Sequence, residues 1–273
     1  MGATVAIVLL VILLLKLVNP TPLPESSVQH FYIVSGASLL AAAVAAILAL
    51  TTVQIGLYRV LLLCLGFASM GGIFAVHGLL TPGVVVPDRL EVSAYRVVGI
   101  SAYFSLAVPA VFFAVGFAPG MAWLERRLPF WPAGWLVALT AVALVAYAAI
   151  AFLGTGFLSA TVLADASFKT AATIATIALL LFAALQQARL YQTTGLAGQA
   201  DLIFAFVLLA EASVAMAAFA IWTLGWWLYH LLMLTAVCFA LRALIVERLR
   251  RASFKESVEA ALELGSEIPG SPR

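Results

Sequence analysis

The sequence predicts an all-α membrane protein, a polytopic helical bundle, and three observations lead to this prediction. The chain has 273 residues, of which 65% are hydrophobic and only 10% are charged, whereas a soluble domain is about half apolar and a quarter charged. Several separate apolar runs of about 20 residues are each long enough to cross the hydrocarbon core as a helix. The runs are continuous rather than alternating, which argues against the strands of a membrane barrel.

About eight transmembrane helices are expected, or seven if the first segment is removed or lies flat. The first segment, residues 4–18, lacks the basic n-region and the cleavage site of a signal peptide, so we expect it to be retained. Prolines at 20, 22 and 24 end it, because proline breaks helices. The other spans are expected at 31–53, 60–80, 95–118, 133–153, 170–186, 202–224 and from 225 to about 251.

The basic residues predict the sidedness of the bundle. Arg248, Arg250 and Arg251 end the last span, and clustered arginine marks the cytoplasmic end of a membrane helix. An even number of crossings then places both termini in the cytoplasm. Basic residues at the other ends of the spans, such as Arg96 and Lys169, are exceptions to this bias.

The chain divides into a bundle and a short C-terminal extension. Residues 1–251 are expected to form the transmembrane helical bundle, and residues 252–273 a cytoplasmic amphipathic helix followed by a flexible tail. Phe254, Val258, Ala261 and Leu262 recur at helical spacing. Glycine, serine and proline after residue 264 are typical of a loop.

Several classes of function are disfavoured by composition and by missing motifs. A net charge of +2 gives no footprint for a nucleic acid, so the expected partner is the lipid bilayer. The two cysteines, Cys64 and Cys238, lie inside apolar spans and suggest no disulfide framework. The chain has no HExxH motif, no glycine-rich phosphate loop and no nucleophile elbow.

The three histidines fall near the outer ends of their predicted spans. His77 and His230 each lie about 6 Å below a helix end, so a shared site between them is geometrically possible. Imidazole suits a transition metal or haem iron, which makes His77 and His230 the metal-ligand candidates. His30 lies at a loop edge and is expected to anchor its helix at the interface. Interfacial anchoring or a single interhelical hydrogen bond is the alternative for the other two.

Glu211 is the acidic residue that lies well inside a span. Intramembrane carboxyls are energetically costly and are candidates for function. Its expected depth is about 12 Å below that of His230, close to Arg242, so an ion pair with Arg242 or a protonated carboxyl bonded to a neighbour is one interpretation. Proton relay or ligand binding is the other.

Four aromatic residues surround His230 in the sequence: Trp222, Trp226, Trp227 and Tyr229. Aromatic rings at this position can wall a cavity that opens outward. An interfacial aromatic belt explains the same residues equally well.

Two stretches resemble a known family. The sequence from His77 to Gly83 and that from Trp226 to His230, with Ala210 and Glu211 before it, are similar to the multi-span N-terminal membrane sensor regions of bacterial sensor histidine kinases and nucleotide cyclases. The resemblance covers nearly the whole chain. It implies signal transduction in a bacterial inner membrane, a basic linker at the end of the last span, and a cytoplasmic signalling partner or self-association. The residues it singles out are His77, Thr81, Pro82, Glu211, Tyr229 and His230, and it identifies no ligand.

Three functions are consistent with these features. The first is a membrane sensor or receptor-like module whose outward-facing pocket, between the third, seventh and eighth spans, is coupled to the cytoplasmic linker helix. The second is an intramembrane metal- or haem-binding enzyme or electron carrier that uses His77 and His230. The third is a small-molecule or proton transporter that uses Glu211. The first is favoured, so an enzymatic role is the less expected one.

Overall fold

The computed structural model describes residues 2–17, 23–86, 92–127 and 133–266, and these residues are largely helical. No β-strand occurs in these four ranges. The α-helices are α1 (Gly2–Leu17), α2 (Ser27–Ile55), α3 (Tyr58–Leu79), α4 (Val92–Gly116), α5 (Met121–Arg127), α6 (Ala133–Leu153), α7 (Thr155–Ser159), α8 (Ala166–Thr194), α9 (Ala197–Ala218) and α10 (Leu224–Ser266).

Seven of the described helices are long and apolar enough to cross a membrane: α2, α3, α4, α6, α8, α9 and α10. The predicted all-α, multi-pass fold is therefore confirmed. Helix α1 has 16 residues and is about 24 Å long, which is shorter than a hydrocarbon core of roughly 30 Å. It packs against α9 and α10, and Lys16 near its end donates a hydrogen bond to the backbone oxygen of Ala218.

Small residues let the central helices approach closely. Helix α3 is the most buried span and α6 the least. A Cβ atom built on Gly71 of α3 would lie 3.0 Å from the backbone oxygen of Ser38 in α2. In lipid the hydrophobic effect does not drive helices together. Van der Waals contacts, which small residues permit by letting the backbones approach closely, stabilise the packing instead.

Two of the helix connections use glycine in the left-handed conformation. Gly56 has φ 69° and ends α2, and Gly195 has φ 65° and ends α8. This conformation carries a steric cost for residues with a Cβ and almost none for glycine. Each glycine therefore permits a tight reversal, which places α3 antiparallel to α2 and α9 antiparallel to α8.

The bundle has two chemically different ends. The histidine end contains the N-terminal ends of α2, α4, α8 and α10 and the C-terminal ends of α3 and α9, since residues from all six helices surround one cavity there. The arginine end contains Arg59, which forms a 3.1 Å ion pair with Glu125, and Arg189, which shares a surface depression with Arg59.

Helix α10 connects the two ends and continues beyond the bundle. It has 43 residues and is about 65 Å long at 1.5 Å per residue. The predicted amphipathic segment after residue 251 is therefore the last part of the same helix, which ends at Ser266. The predicted flexible tail from residue 267 onward lies outside the described residues.

Candidate metal centre

Three helices bring the three histidines of the chain together at the histidine end. His30 lies in the first turn of α2, His77 in the last turn of α3 and His230 in the second turn of α10. Their exposed fractions are 2%, 3% and 0%. The Nε2 atom of His30 lies 3.1 Å from Nε2 of His77 and 2.9 Å from Nε2 of His230. One nitrogen of each ring thus falls within a sphere of small radius, with all three atoms within 4.8 Å of one another.

The other ring nitrogen of two histidines is fixed by a backbone carbonyl. Nδ1 of His77 lies 2.9 Å from the carbonyl oxygen of Val98 in α4. Nδ1 of His230 lies 3.1 Å from the carbonyl oxygen of Trp226, one turn earlier in α10. A carbonyl oxygen can only accept, so each Nδ1 carries the proton and each Nε2 presents a lone pair.

The tautomer of His30 follows from Thr81. The Thr81 hydroxyl donates to the backbone oxygen of His77 at 3.0 Å. With its proton used, the Thr81 oxygen accepts a hydrogen bond from Nδ1 of His30, also at 3.0 Å. His30 therefore presents its Nε2 lone pair as well, and the three Nε2 atoms lie within 4.8 Å of one another.

Neighbouring nitrogen lone pairs repel one another unless a cation or a shared proton lies between them. In a tetrahedral zinc site with Zn–N bonds of 2.0–2.1 Å, neighbouring nitrogens are about 3.3 Å apart. The observed separations of 3.1 and 2.9 Å are close to this value. Hydrogen bonding of each Nδ1 to an outer acceptor is also the arrangement found around metal-bound histidines. The residues present therefore fit a transition-metal ion.

A metal-free network can be drawn for the same atoms, with a central hydrogen bond of normal length, 2.9 Å, and one long contact. His30 would carry its proton on Nε2 and donate to His230, while the Tyr229 hydroxyl would donate to His77. The Tyr229 oxygen is 3.4 Å from Nε2 of His77, well beyond the usual 2.7–3.2 Å for such bonds. Thr81 would also have to leave the backbone oxygen of His77 to donate to His30.

Aromatic rings enclose the histidines. Phe74 stacks on His77 with centroids 5.3 Å apart and planes 7° apart. Trp226 lies 4.5 Å from the ring of His230 and 4.9 Å from that of His30. These rings restrict the rotamers of the imidazoles and exclude water from two sides of the cluster, so the nitrogens are held in position before any ion binds.

A cavity of about 570 Å³ adjoins the cluster. This volume is within the usual range for small-molecule sites, roughly 300–1,000 Å³. His30, His77 and Tyr229 line it, whereas His230 lies behind them. Its remaining walls combine apolar groups with two cations and are formed by Thr81, Pro82, Tyr95, Arg96, Val98, Gly99, Ala102, Tyr103, Lys169, Met216, Ala217, Phe219, Ala220, Ile221, Trp222 and Trp226.

The turn that closes the cavity between α9 and α10 is strained. Trp222 has φ 63°, a left-handed conformation that is rare for a bulky residue. Its carbonyl oxygen accepts a 2.8 Å hydrogen bond from the backbone N–H of Leu23, and its ring lies 4.7 Å from that of Trp226. Such strain costs about 1–3 kcal/mol and is concentrated at functional sites.

Most of the predicted pocket residues surround the histidines. Thr81, Trp222, Trp226 and Tyr229 line the cavity. Trp227 does not line it, but its ring packs 5.7 Å from that of His230. Helices α2, α4 and α8, absent from the predicted pocket, also line the cavity. Helix α2 packs against both α3 and α10.

Glu211 does not belong to this site. It lies in α9, is 4% exposed and is absent from the cavity wall. Neither carboxyl oxygen has a hydrogen-bond partner within the described ranges. The expected ion pair with Arg242 does not form, because Arg242 pairs instead with the buried carboxylate of Asp201.

His30 is the metal-ligand candidate that the sequence reasoning missed. Its expected role as an interfacial anchor is wrong, since its ring is buried between the other two. A usable signal was present: His30 precedes Val34, Ala37 and Ala41 at spacings of 4, 7 and 11 residues, and all three are buried. This spacing places His30 on the inward face of α2.

Comparison of the chain with family models, with curated proteins and with solved structures gives no match.

Proposed function

We propose that the protein is a metal-dependent membrane receptor, which binds one transition-metal ion at His30, His77 and His230. The observation that supports this most strongly is the convergence of three buried Nε2 atoms, each on a ring whose Nδ1 is already committed to an acceptor. Ligands held in one tautomer by outer hydrogen bonds are preorganised for an ion.

The three imidazole nitrogens favour a single metal ion over haem, and an ion between hard and soft in its ligand preference. Three imidazoles suit zinc or copper, and no thiolate or carboxylate from the described residues joins the group. Haem is less suitable, because the porphyrin occupies four positions around its iron and leaves only two axial positions for histidine. Three histidine nitrogens within 4.8 Å of one another cannot all be axial ligands of one haem.

The receptor role rests on α10. This helix carries His230 near one end and runs without interruption through the arginine end to Ser266. Metal binding at His230 would shift α10 slightly. Because α10 is one continuous helix, the shift would also move its C-terminal part beyond the arginine end. We place the arginine end in the cytoplasm of a bacterial inner membrane, because clustered arginine marks that side and the sensor-region resemblance implies that membrane.

Metal content of the purified chain tests the ion. The protein should carry a tag other than polyhistidine, because its own three histidines are the only ones in the chain. Elemental analysis after growth with added zinc or copper and removal of loosely bound ions should find about one equivalent. A folded protein that retains less than about a tenth of an equivalent would contradict the metal site.

Distance measurements test whether metal binding moves the arginine end of α10. Spin labels at Leu57→Cys and Leu249→Cys report on the arginine ends of α3 and α10, where both residues are exposed. The exposed Cys238 is first replaced by serine, while Cys64 is buried. Metal addition should shift the distance by about 1–2 Å, the size of common helix displacements. An identical distance distribution in the metal-loaded and metal-free protein would contradict coupling through α10.

A metalloenzyme is the second candidate, favoured by one observation. Catalytic zinc sites have three protein ligands and keep a fourth position for water or substrate, and here a three-histidine group adjoins a cavity. A bound ion of this kind activates water or polarises a carbonyl group. Hydrolysis of amphiphilic esters or amides by the loaded protein, lost in His77→Ala, would support the enzyme. Absence of turnover together with a metal-dependent movement of α10 would support the receptor.

A further inference from the structure

We infer that the cavity beside the histidine cluster binds an amphiphilic anion, a ligand with a carboxylate or phosphate head and an apolar tail. This inference rests in part on the proposed metal, whose charge adds to that of the cavity. It also rests on two cationic side chains that the metal proposal does not use.

Two positive side chains from different helices line the cavity. Arg96 belongs to α4 and Lys169 to α8, and they are close enough to interact electrostatically. Neither forms an ion pair with a carboxylate of the described ranges. Asp165, one turn before Lys169, interacts with it electrostatically but does not line the cavity.

Membrane topology does not account for these two cations. They lie at the histidine end, opposite the arginine-rich end, where the positive-inside rule predicts few basic residues. Like charges brought together in a cleft with low-dielectric walls repel each other and attract an anion. A divalent ion at the three neutral histidines would add to the positive potential of the same cavity. The charge balance therefore points to a negatively charged head group.

The rest of the wall is suited to an apolar tail. Ala217, Phe219 and Ile221 follow one another at the end of α9 and in the turn after it, and all three line the cavity. Ile221 is 61% exposed, so this side of the cavity offers apolar surface that a ligand tail can cover. Burial of this apolar surface by a ligand tail favours binding.

Binding of matched twelve-carbon probes tests this inference. The full chain is reconstituted in phosphatidylcholine nanodiscs and loaded with metal, and empty nanodiscs correct for partition into lipid. Dodecanoate and dodecyl phosphate should both bind, whereas dodecanol and dodecyltrimethylammonium should bind at least about tenfold more weakly, because they lack the negative charge. Equal binding of all four probes would overturn the anion site.

Inorganic phosphate separates the head group from the tail. It should bind at least about tenfold more weakly than dodecyl phosphate, since it leaves the apolar wall uncovered. Equal affinities would overturn the amphiphile and leave only a site for free anions.

Variants locate the site. Arg96→Gln and Lys169→Gln should each weaken dodecanoate binding by about tenfold or more, as expected for loss of a charge-assisted contact. Arg189→Gln removes a cation at the arginine end and is the matched control, with an expected change below about twofold. A similar affinity in all three variants would overturn the assignment to this cavity.

The metal proposal and the anion proposal can fail separately. One equivalent of metal without charge-dependent dodecanoate binding would overturn the anion site alone. If the purified protein holds no metal, the metal proposal is contradicted. Dodecanoate binding by that protein, if it depends on Arg96 and Lys169, would still support the anion site.

Discussion

The histidine cluster and Glu211 are two buried ionisable sites in the same apolar bundle, yet their surroundings are opposite. The three histidines and Glu211 have nearly equal exposure, 4% or less. Each histidine has a partner for its Nδ1 atom, whereas both Glu211 oxygens lack one in the described part of the chain. A buried group with fixed partners has one tautomer and one orientation, which a ligand site requires. A buried group without partners pays the cost of desolvation and gains no defined geometry.

The largest expected difference between the two sites is in metal content. His77→Ala removes one of three ligands, so we expect metal affinity to fall by more than about 100-fold, beyond the effect of losing an outer hydrogen bond. Glu211→Gln should retain about one equivalent of metal, because Glu211 lies outside the cluster. Elemental analysis of both variants, with size-exclusion chromatography to check folding, makes the comparison. Equal loss of metal in His77→Ala and Glu211→Gln would contradict the assignment of the metal to the histidine cluster.

Thr81→Val tests whether the fixed tautomer matters. Valine keeps the shape of threonine but cannot accept the hydrogen bond from Nδ1 of His30, so metal affinity should fall by about 10- to 100-fold. Competition with a chelator of known affinity measures this change. The matched control is Thr173→Val, at another buried threonine, whose hydroxyl donates to the backbone oxygen of Lys169. Equal affinities for the two variants would show that the outer bond does not preorganise His30.

Arg242→Leu measures what a carboxylate without a partner costs in this bundle. The Asp201 side chain is 3% exposed and that of Arg242 is 62% exposed, so the loss should be smaller than the 3–5 kcal/mol typical of fully buried pairs. We expect a destabilisation of about 1–2 kcal/mol, measured by thermal or denaturant unfolding in detergent. The double variant with Asp201→Leu should recover most of it. Failure to recover would mean that Asp201 has another role in folding.

The smallest effect is expected at Glu211 itself. Glu211→Gln has the shape of the neutral carboxyl and should change the free energy of unfolding by less than about 0.5 kcal/mol. Proton flux through vesicles containing this variant should equal that of the unchanged protein. A loss above about 2 kcal/mol would reveal a partner for Glu211, and loss of a measured flux would favour the transporter hypothesis.

Much of the fold is encoded locally and could be read without the structure. Composition and the length of apolar runs determine that the chain forms membrane-length helices, because an unpaired backbone group in lipid costs several kcal/mol. The helical periodicity after Arg251 correctly predicted a helix. The spacing of His77 and His230 from their helix ends predicted that they share a depth, and their rings do lie 6.2 Å apart.

The partners of the buried polar groups could not be read in this way. Asp201 rather than Glu211 pairs with Arg242, because a pair depends on the rotation of α10 against α9 as well as on depth. Arg96 and Lys169 come from helices separated by long loops and an intervening span, so their proximity at one cavity follows from packing alone. The depth of a residue follows from its position along its own helix. Which residues face it depends on how two helices pack against each other.

The sequence by itself determined that the chain forms an all-α, multi-pass bundle, and it singled out two of the three histidines in the cluster. Only the tertiary structure decided that α2 packs against both α3 and α10 and so brings His30 between His77 and His230. The physical reason is that apolar surfaces are nearly interchangeable in lipid, so the order of helices around the bundle depends on close contacts between small residues. Such contacts join residues far apart in the chain, and no local pattern specifies them.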